Sequence, residues 1–189
     1  MANKVRYGLK NVYYAVATIS SSGTATYATP VAIPGAVSLS LDPEGDINNF
    51  FADNIAYATF SANAGYSGTL EVALVPDSFK KDVLGYVEDP SDANVLYEDA
   101  GASTTHFALL FQFEGDDEAT KHVLYNCTAQ RASVEGSTTE DSIEAQTESL
   151  DITASSIYNT VLAKDIVKAK AESGATAYAT WTSAVYQAT

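Results

Sequence analysis

The sequence predicts a mainly β domain, and three observations support this fold class. Apolar residues alternate with small or polar ones in AVSLSL at 36–41 and in TLEVALV at 69–75, which is the pattern of half-buried strands. HFALLFQF at 106–113 is apolar on both alternating faces near its middle, which indicates a strand covered on both sides. Helix signals are few. We therefore expect one β-rich domain, residues 1–189, with one or two short helices and two long loops.

Three further segments complete the predicted sheet. A turn over residues 114–117 precedes KHVLYNCTAQRASV at 121–134, which is expected to return as the hairpin partner of the strand before the turn. SLDITAS at 149–155 repeats the alternation of period two. DIVKAKA at 165–171 is expected to be an edge strand, because its lysines discourage pairing with a further strand.

Two regions contain helix signals. Asp77 follows Pro76 and is expected to cap a short amphipathic helix that ends near Gly85. Near the end of the chain, YATWTSAVY at 178–186 is compatible with a helix or a strand. A helix is favoured there, because its apolar residues recur at a spacing of four.

The charge balance excludes one class of function. Twenty-four acidic and ten basic residues give a formal net charge of −14, so a groove that binds nucleic acid by neutralising its phosphates is not expected. No basic residue occurs between Arg131 and Lys164, an interval rich in Asp and Glu. No run approaches the about 20 apolar residues that span a bilayer, so no membrane association is expected.

The acidic stretch DPEGDINNFFADNIAY at 42–57 suggests a calcium loop at first sight. Asp42, Glu44 and Asp46 have the spacing of the first three ligands of such a loop. However, Ile47 stands where the turn requires glycine, and Asp53 stands where a bidentate Glu is needed. No metal site and no cofactor are therefore predicted.

Catalytic constellations are also missing from the sequence pattern. His106, His122 and Cys127 do not have the spacing of a zinc site. Ser67 lies in GYSGT, which lacks the second glycine of a nucleophile elbow. Asn126 begins a formal glycosylation sequon, which we interpret as chance. The chain is predicted not to be an enzyme, and paired carboxylates acting as a hydrolase are a minor alternative.

Two long segments, 42–55 and 86–104, have no predicted regular element, and loops of that length usually have a function. In or beside the first of them stand Phe50, Phe51 and Tyr57. A single small domain has little room to bury all three in a polar loop, and contact with another subunit would supply the missing partner surface.

Taken in order, several segments give the chain a resemblance to a known family. The sequence resembles the major tail proteins, or tail tube proteins, of long non-contractile phages that infect Gram-positive bacteria. The resemblance covers nearly the whole chain and rests on KVRYGLKNVYYA, PGAVSLSLDPEGDINNFFADNIAY, GYSGTLEVALVPDSFKKDVLGY, FALLFQFEGDDEATKHVLYNC and QTESLDITAS.

The resemblance implies a β-sandwich or half-barrel flanked by a helix, in a virion protein made in the host cytoplasm. It implies hexameric rings that stack into a negatively charged tube, through which DNA passes without specific binding. The expected partners are further copies of the chain, the tape measure protein and other tail proteins, and no catalytic residues are implied.

In this family an N-terminal arm, about 1–10 here, and a long loop, about 42–57 here, clamp neighbouring subunits. The C-terminal segment, about 155–189, is the least distinctive part of the match. The residues that the resemblance and the aromatic loop together predict to contact a neighbour are Asp46, Asn48, Phe50, Phe51, Asn54 and Tyr57.

An alternative from another class stays open at this point. A β-sandwich module on a phage tail or fibre could bind carbohydrate or a host surface. It would use exposed aromatic side chains such as Tyr57 or Tyr97 as stacking platforms.

Overall fold

The computed structural model describes residues 7–52, 54–115, 118–134, 136, 138 and 145–188. Strands dominate it, which confirms the predicted mainly β fold. One short helix, α1 (Asp77–Asp82), and one 3₁₀ helix (Thr176–Tyr178) accompany them. The strands are β1 (Tyr7–Ile19), β2 (Ala25–Tyr27), β3 (Val31–Ala32), β4 (Ala36–Glu44), β5 (Ile47–Ala52), β6 (Ile55–Ser61), β7 (Gly65–Val72), β8 (Val87–Glu88), β9 (Leu96–Tyr97), β10 (Phe107–Glu114), β11 (Lys121–Ala129), β12 (Glu148–Ser155), β13 (Ile157–Asn159), β14 (Lys164–Ile166) and β15 (Lys168–Ala171).

The main sheet is antiparallel and curls until its two ends are linked. Its strands follow the order β2-β1-β10-β11-β12-β7-β4, and β3 also pairs with β1. Only residues 33–35 separate β3 from β4, so this run connects the β7 side of the sheet back to β1. The Ile33 amide donates to the Val12 carbonyl at 2.8 Å, and the Ala73 amide donates to the Gly35 carbonyl at 2.7 Å. This curvature matches the half-barrel form of the prediction.

The concave side of the curled sheet encloses the larger hydrophobic core. Phe79 of α1 is fully buried there and meets the rings of Tyr14 and Phe107 edge to face, at centroid distances of 5.0 and 5.4 Å. The Tyr14 hydroxyl also donates to the Asp82 carboxylate at 2.8 Å, which fixes the helix on the sheet. A short helix of this kind depends on packing, because six residues are too few to be stable alone.

The predicted helix is present, but its predicted cap is wrong. Pro76, in an extended conformation, occupies the N-cap position, and no side chain caps the helix. Asp77 instead lies in the first turn, where its carboxylate is 3.7 Å from the Lys80 ammonium group. Proline suits this place because the first amides of a helix have no partner within it. Gly85 follows the helix at a φ of +75°, a conformation that favours glycine.

The opposite side of the central strands is covered by the end of the chain. Trp181 is buried against β10 and β11 and donates its indole N–H to the His122 carbonyl at 3.3 Å. Tyr186 stacks on Trp181, and its carbonyl accepts a hydrogen bond from the Tyr125 hydroxyl at 2.9 Å. β10 is therefore buried on both faces from Phe107 to Phe111, as its sequence predicts.

The favoured helix over 178–186 is wrong. The structure has only the 3₁₀ helix at Thr176–Tyr178, followed by turns. The apolar spacing arises because Trp181 and Val185 pack on the sheet, and the side chains of Trp181 and Gln187 donate hydrogen bonds to the His122 and Ala25 carbonyls of the sheet. The expected edge strand at 165–171 is present in two pieces, since β14 pairs with β13 and β15 pairs with β11.

Within the described residues, no helix has the length and apolar character needed to cross a membrane.

The packing of Trp181 predicts that the C-terminal segment is integral to the fold. Trp181→Ala should lower the free energy of unfolding by about 3–5 kcal/mol, because a large buried ring is replaced by a cavity. Urea denaturation followed by far-UV circular dichroism measures this. Val134→Ala, at a residue that is 98% exposed, is the control and should change it by less than about 0.5 kcal/mol. A loss below about 1 kcal/mol in Trp181→Ala would mean that the segment is only loosely attached.

Candidate assembly surface

The prediction that residues 42–57 form a loop is wrong. This segment contains the end of β4, all of β5 and the start of β6, and it is most of a long β-hairpin. β4 extends to Glu44, and β5 then pairs with β6 from Ile47 opposite Ser61 to Ala52 opposite Ile55. The sequence does not show these strands because their described side chains are exposed or half-buried on both faces. Without a buried face, apolar and polar residues have no reason to alternate.

We refer to residues 45–64 as the arm, which is distinct from the N-terminal arm expected at about 1–10. The arm continues the pairing of β4 with β7, since the Ala64 amide donates to the Glu44 backbone carbonyl at 2.8 Å and the Ala62 amide donates to the Asp46 backbone carbonyl at 2.9 Å. Gly45 stands at the junction, and a Cβ atom there would collide with the Ala62 carbonyl. β5 and β6 pack on each other and, among the described residues, on no other strand or helix to a comparable extent. The arm is thus a regular extension of the sheet.

Aromatic side chains are exposed on both faces of the arm. Phe50 is 57% exposed, Phe51 is 66% exposed and Tyr57 is 71% exposed. Phe50 and Phe51 are consecutive in β5, so their side chains point to opposite faces of the hairpin. The strand pairing is irregular at this point: Tyr57 is the extra residue of a β-bulge in β6. A partner protein that covered only one face of the arm would leave the aromatic side chains of the other face in water.

The other predicted contact residues also lie on the arm. Asp46 is at its base, Asn48 is in β5, and Asn54 is at the tip with a φ of +64°. Asn adopts this left-handed conformation more readily than most residues, which suits the turn. Sequence reasoning missed Ile47 and Ile55, which are as exposed as the aromatic residues. Their β-branched side chains next to the Asn and Phe residues were the available signal for strands.

The second predicted loop, 86–104, contains the small hairpin of β8 and β9. Asp89 shapes its turn by accepting the Ser91 amide at 2.7 Å and the Tyr97 hydroxyl at 2.9 Å. These hydrogen bonds hold the pKa of the Asp89 carboxyl below its usual value, the Ser91 amide having the larger effect. The segment is therefore not an unstructured loop, and Tyr97 is tied to its own hairpin.

The candidate chemical groups lie in the core or in structural contacts. The His122 ring stacks on Phe111 at a centroid distance of 5.1 Å. His106 Nδ1 and the Asn126 side-chain oxygen are 2.7 Å apart, and Asn126 is buried in β11. Among the residues that the structure describes, no group of three or more His, Cys, Asp or Glu side chains could hold a metal ion.

Comparisons of the chain with protein-family models and with curated proteins find no match.

The environment of Cys127 predicts an inert thiol. Burial raises the pKa of this thiol to about 12, so it stays protonated at pH 8 and is shielded from reagents. The native protein should not react with an aromatic disulfide reagent at pH 8, and the protein unfolded in urea should react with one equivalent. Rapid reaction of the native protein would show that β11 opens readily or is packed differently.

Proposed function

We propose that this protein is the subunit of a phage tail tube, in which hexameric rings stack to form a negatively charged conduit for DNA. The observation that supports it most is the arm, a regular hairpin with aromatic side chains exposed on both faces. In this role its partners are copies of itself, the tape measure protein and other tail proteins, and its location is the virion.

The arm has the features expected of a contact between copies. Exposed apolar surface that is contiguous in space marks interaction sites in soluble proteins. The whole chain has a net charge of −14, so two copies repel each other unless they meet at weakly charged surfaces. Over residues 45–64 the only charged residues in the sequence are Asp46 and Asp53. The arm can therefore approach a like-charged neighbour at a small electrostatic cost.

The position of the arm also suits an open polymer. It extends from one place on the curled sheet, and in the proposed tube it would dock on a different surface of the neighbour. Contacts between two different patches are heterologous, and they generate closed rings or continuing filaments according to the rotation between copies. A stack of rings requires contacts of this type along its axis.

A carbohydrate-binding or host-binding module is the second candidate function. The exposure of Tyr57 and Tyr97 supports it, because flat aromatic rings can stack on sugars. The two rings belong to different hairpins, β5–β6 and β8–β9, and Tyr97 already donates its hydroxyl to Asp89. Glycan-array binding that is lost in Tyr57→Ala, by a protein that does not polymerise, would favour this candidate over the tube.

The proposed function predicts that the arm aromatics govern assembly and not folding. Phe50→Ala with Phe51→Ala should leave the free energy of unfolding within about 0.5 kcal/mol of the wild type, because both rings are exposed. Assembly should weaken strongly, since loss of an aromatic hot spot commonly costs at least about 2 kcal/mol per contact. Analytical ultracentrifugation over a concentration series, with circular dichroism as the folding check, measures both effects.

Two further variants make this test specific. Deletion of residues 46–54 should abolish assembly while the sheet stays folded, because the arm packs mainly on itself. Val134→Ala, at an exposed apolar residue away from the arm, should assemble as the wild type does. Unchanged assembly of the double variant, or unfolding of it, would contradict the role given to the arm.

A further inference from the structure

Basic residues are missing from two long intervals of the sequence, and the fold places these intervals side by side. No Lys or Arg occurs from residue 11 to 79, nor from residue 132 to 163. β4 and β7 come from the first interval and β12 comes from the second. In the sheet they are neighbours, in the order β12-β7-β4.

The outward side chains of these three strands form one polar surface. They are residues 38, 40 and 42 of β4, residues 67, 69 and 71 of β7, and residues 149, 151 and 153 of β12. We call this set of side chains the hydroxyl face. The central row is Ser40, Thr69 and Asp151, and the rows beside it consist of Ser, Thr, Asp42 and Glu71. None of these nine residues is basic, aromatic or aliphatic, and the apolar residues of the three strands pack on the core except for Val37 and Pro43 in β4, which are exposed.

Hydroxyl groups of this region donate to its carboxylates. Thr69 Oγ1 donates to Asp151 at 3.0 Å. Thr147 Oγ1 and Ser38 Oγ donate to the two oxygens of Glu71 at 2.6 and 2.8 Å. These two bonds hold the pKa of the Glu71 carboxyl below its usual value, with that from Thr147 the larger cause. The Glu71 carboxylate thus stays charged, and the hydroxyl groups of Ser38, Thr69 and Thr147 are already used as donors.

Carboxylates elsewhere in the described chain are partly neutralised by cations. Ion pairs join Lys81 to Glu88 and Arg131 to Glu98, each at 2.8 Å. The described ion pairs all lie outside the hydroxyl face. No ion pair of the described residues therefore offsets the three carboxylates of this face, Asp42, Glu71 and Asp151.

From this chemistry we infer that the hydroxyl face lines the conduit and faces the DNA duplex as it passes. The inference rests on the proposed tube function and identifies the surface that performs it. Sequence-independent binding of DNA comes essentially from Lys and Arg contacts to phosphates and, on single strands, from aromatic stacking. The hydroxyl face has no Lys, Arg or aromatic side chain, and its short residues leave no large side chain in the path.

Two other exposed surfaces of the described chain, on β15 and on the arm, suit contact with DNA less well. β15 presents Lys168 and Lys170, which would bind phosphates and hold the duplex back. The arm presents Phe50, Phe51 and Tyr57, which belong against another protein surface or would stack on bases. The hydroxyl face therefore fits passage, with repulsion and water between the wall and the phosphates.

A labelling experiment on assembled tubes locates this face. Ser40→Cys introduces an exposed thiol in the central row, and the buried Cys127 adds no background. Tubes are treated with N-ethylmaleimide or with a maleimide on a polymer too large to enter the tube. We expect reaction with the small reagent and loss of reaction with the large one, while the unassembled subunit reacts with both. Ser91→Cys, in the turn between β8 and β9, is the matched control and should not show this difference.

Each outcome of the labelling has one meaning. Reaction of Ser40→Cys tubes with both reagents would place the face on the outside, and reaction with neither would place it in a subunit contact. Either result overturns the inference while leaving the tube function intact. Absence of tubes from the wild type under all conditions would instead contradict the proposed function itself.

Discussion

The antiparallel pairing of β4 with β7 connects the parts of this molecule that matter for its proposed role. On its inner side the pair contributes Leu70 and Val72 to the core, and on its outer side it presents the hydroxyl face. Beyond Glu44 and Gly65 the same two chain segments continue as the arm. The direction of the arm is thus set by the hydrogen-bonded register of the sheet. A shift of one residue in this register would exchange the core face for the polar face and misplace the arm at the same time.

The sequence predicts well those strands and helices that have one buried face and one face exposed to solvent. β7 and β12 alternate Leu70 and Leu150 with Thr69 and Asp151, so local patterning identifies them. Phe79 similarly predicts the face of α1. Patterning fails in the arm, because neither of its faces is buried in the subunit. It also fails at Trp181, whose spacing from Val185 suggests a helix although both residues pack on the sheet.

The candidate surfaces show the same division between local and non-local information. The exposed state of Phe50 and Phe51 follows from the sequence, because a small domain cannot bury aromatic residues in a polar stretch. Their placement on opposite faces requires the strand assignment, which only the structure supplies. The hydroxyl face was not predictable from local pattern, since it arises when β12 pairs with β7 across about eighty residues of chain. The long interval without Lys or Arg after Lys10 was its available signal.

The central claim is that this subunit polymerises through its arm into a hollow tube. Electron microscopy of the purified wild-type protein, concentrated at neutral pH and moderate salt, tests it most directly, because moderate salt screens the repulsion between copies of net charge −14. The claim predicts rings or tubes with a central channel wide enough for one DNA duplex. A protein that stays monomeric across concentration and salt, also in the presence of partner tail proteins, would contradict it.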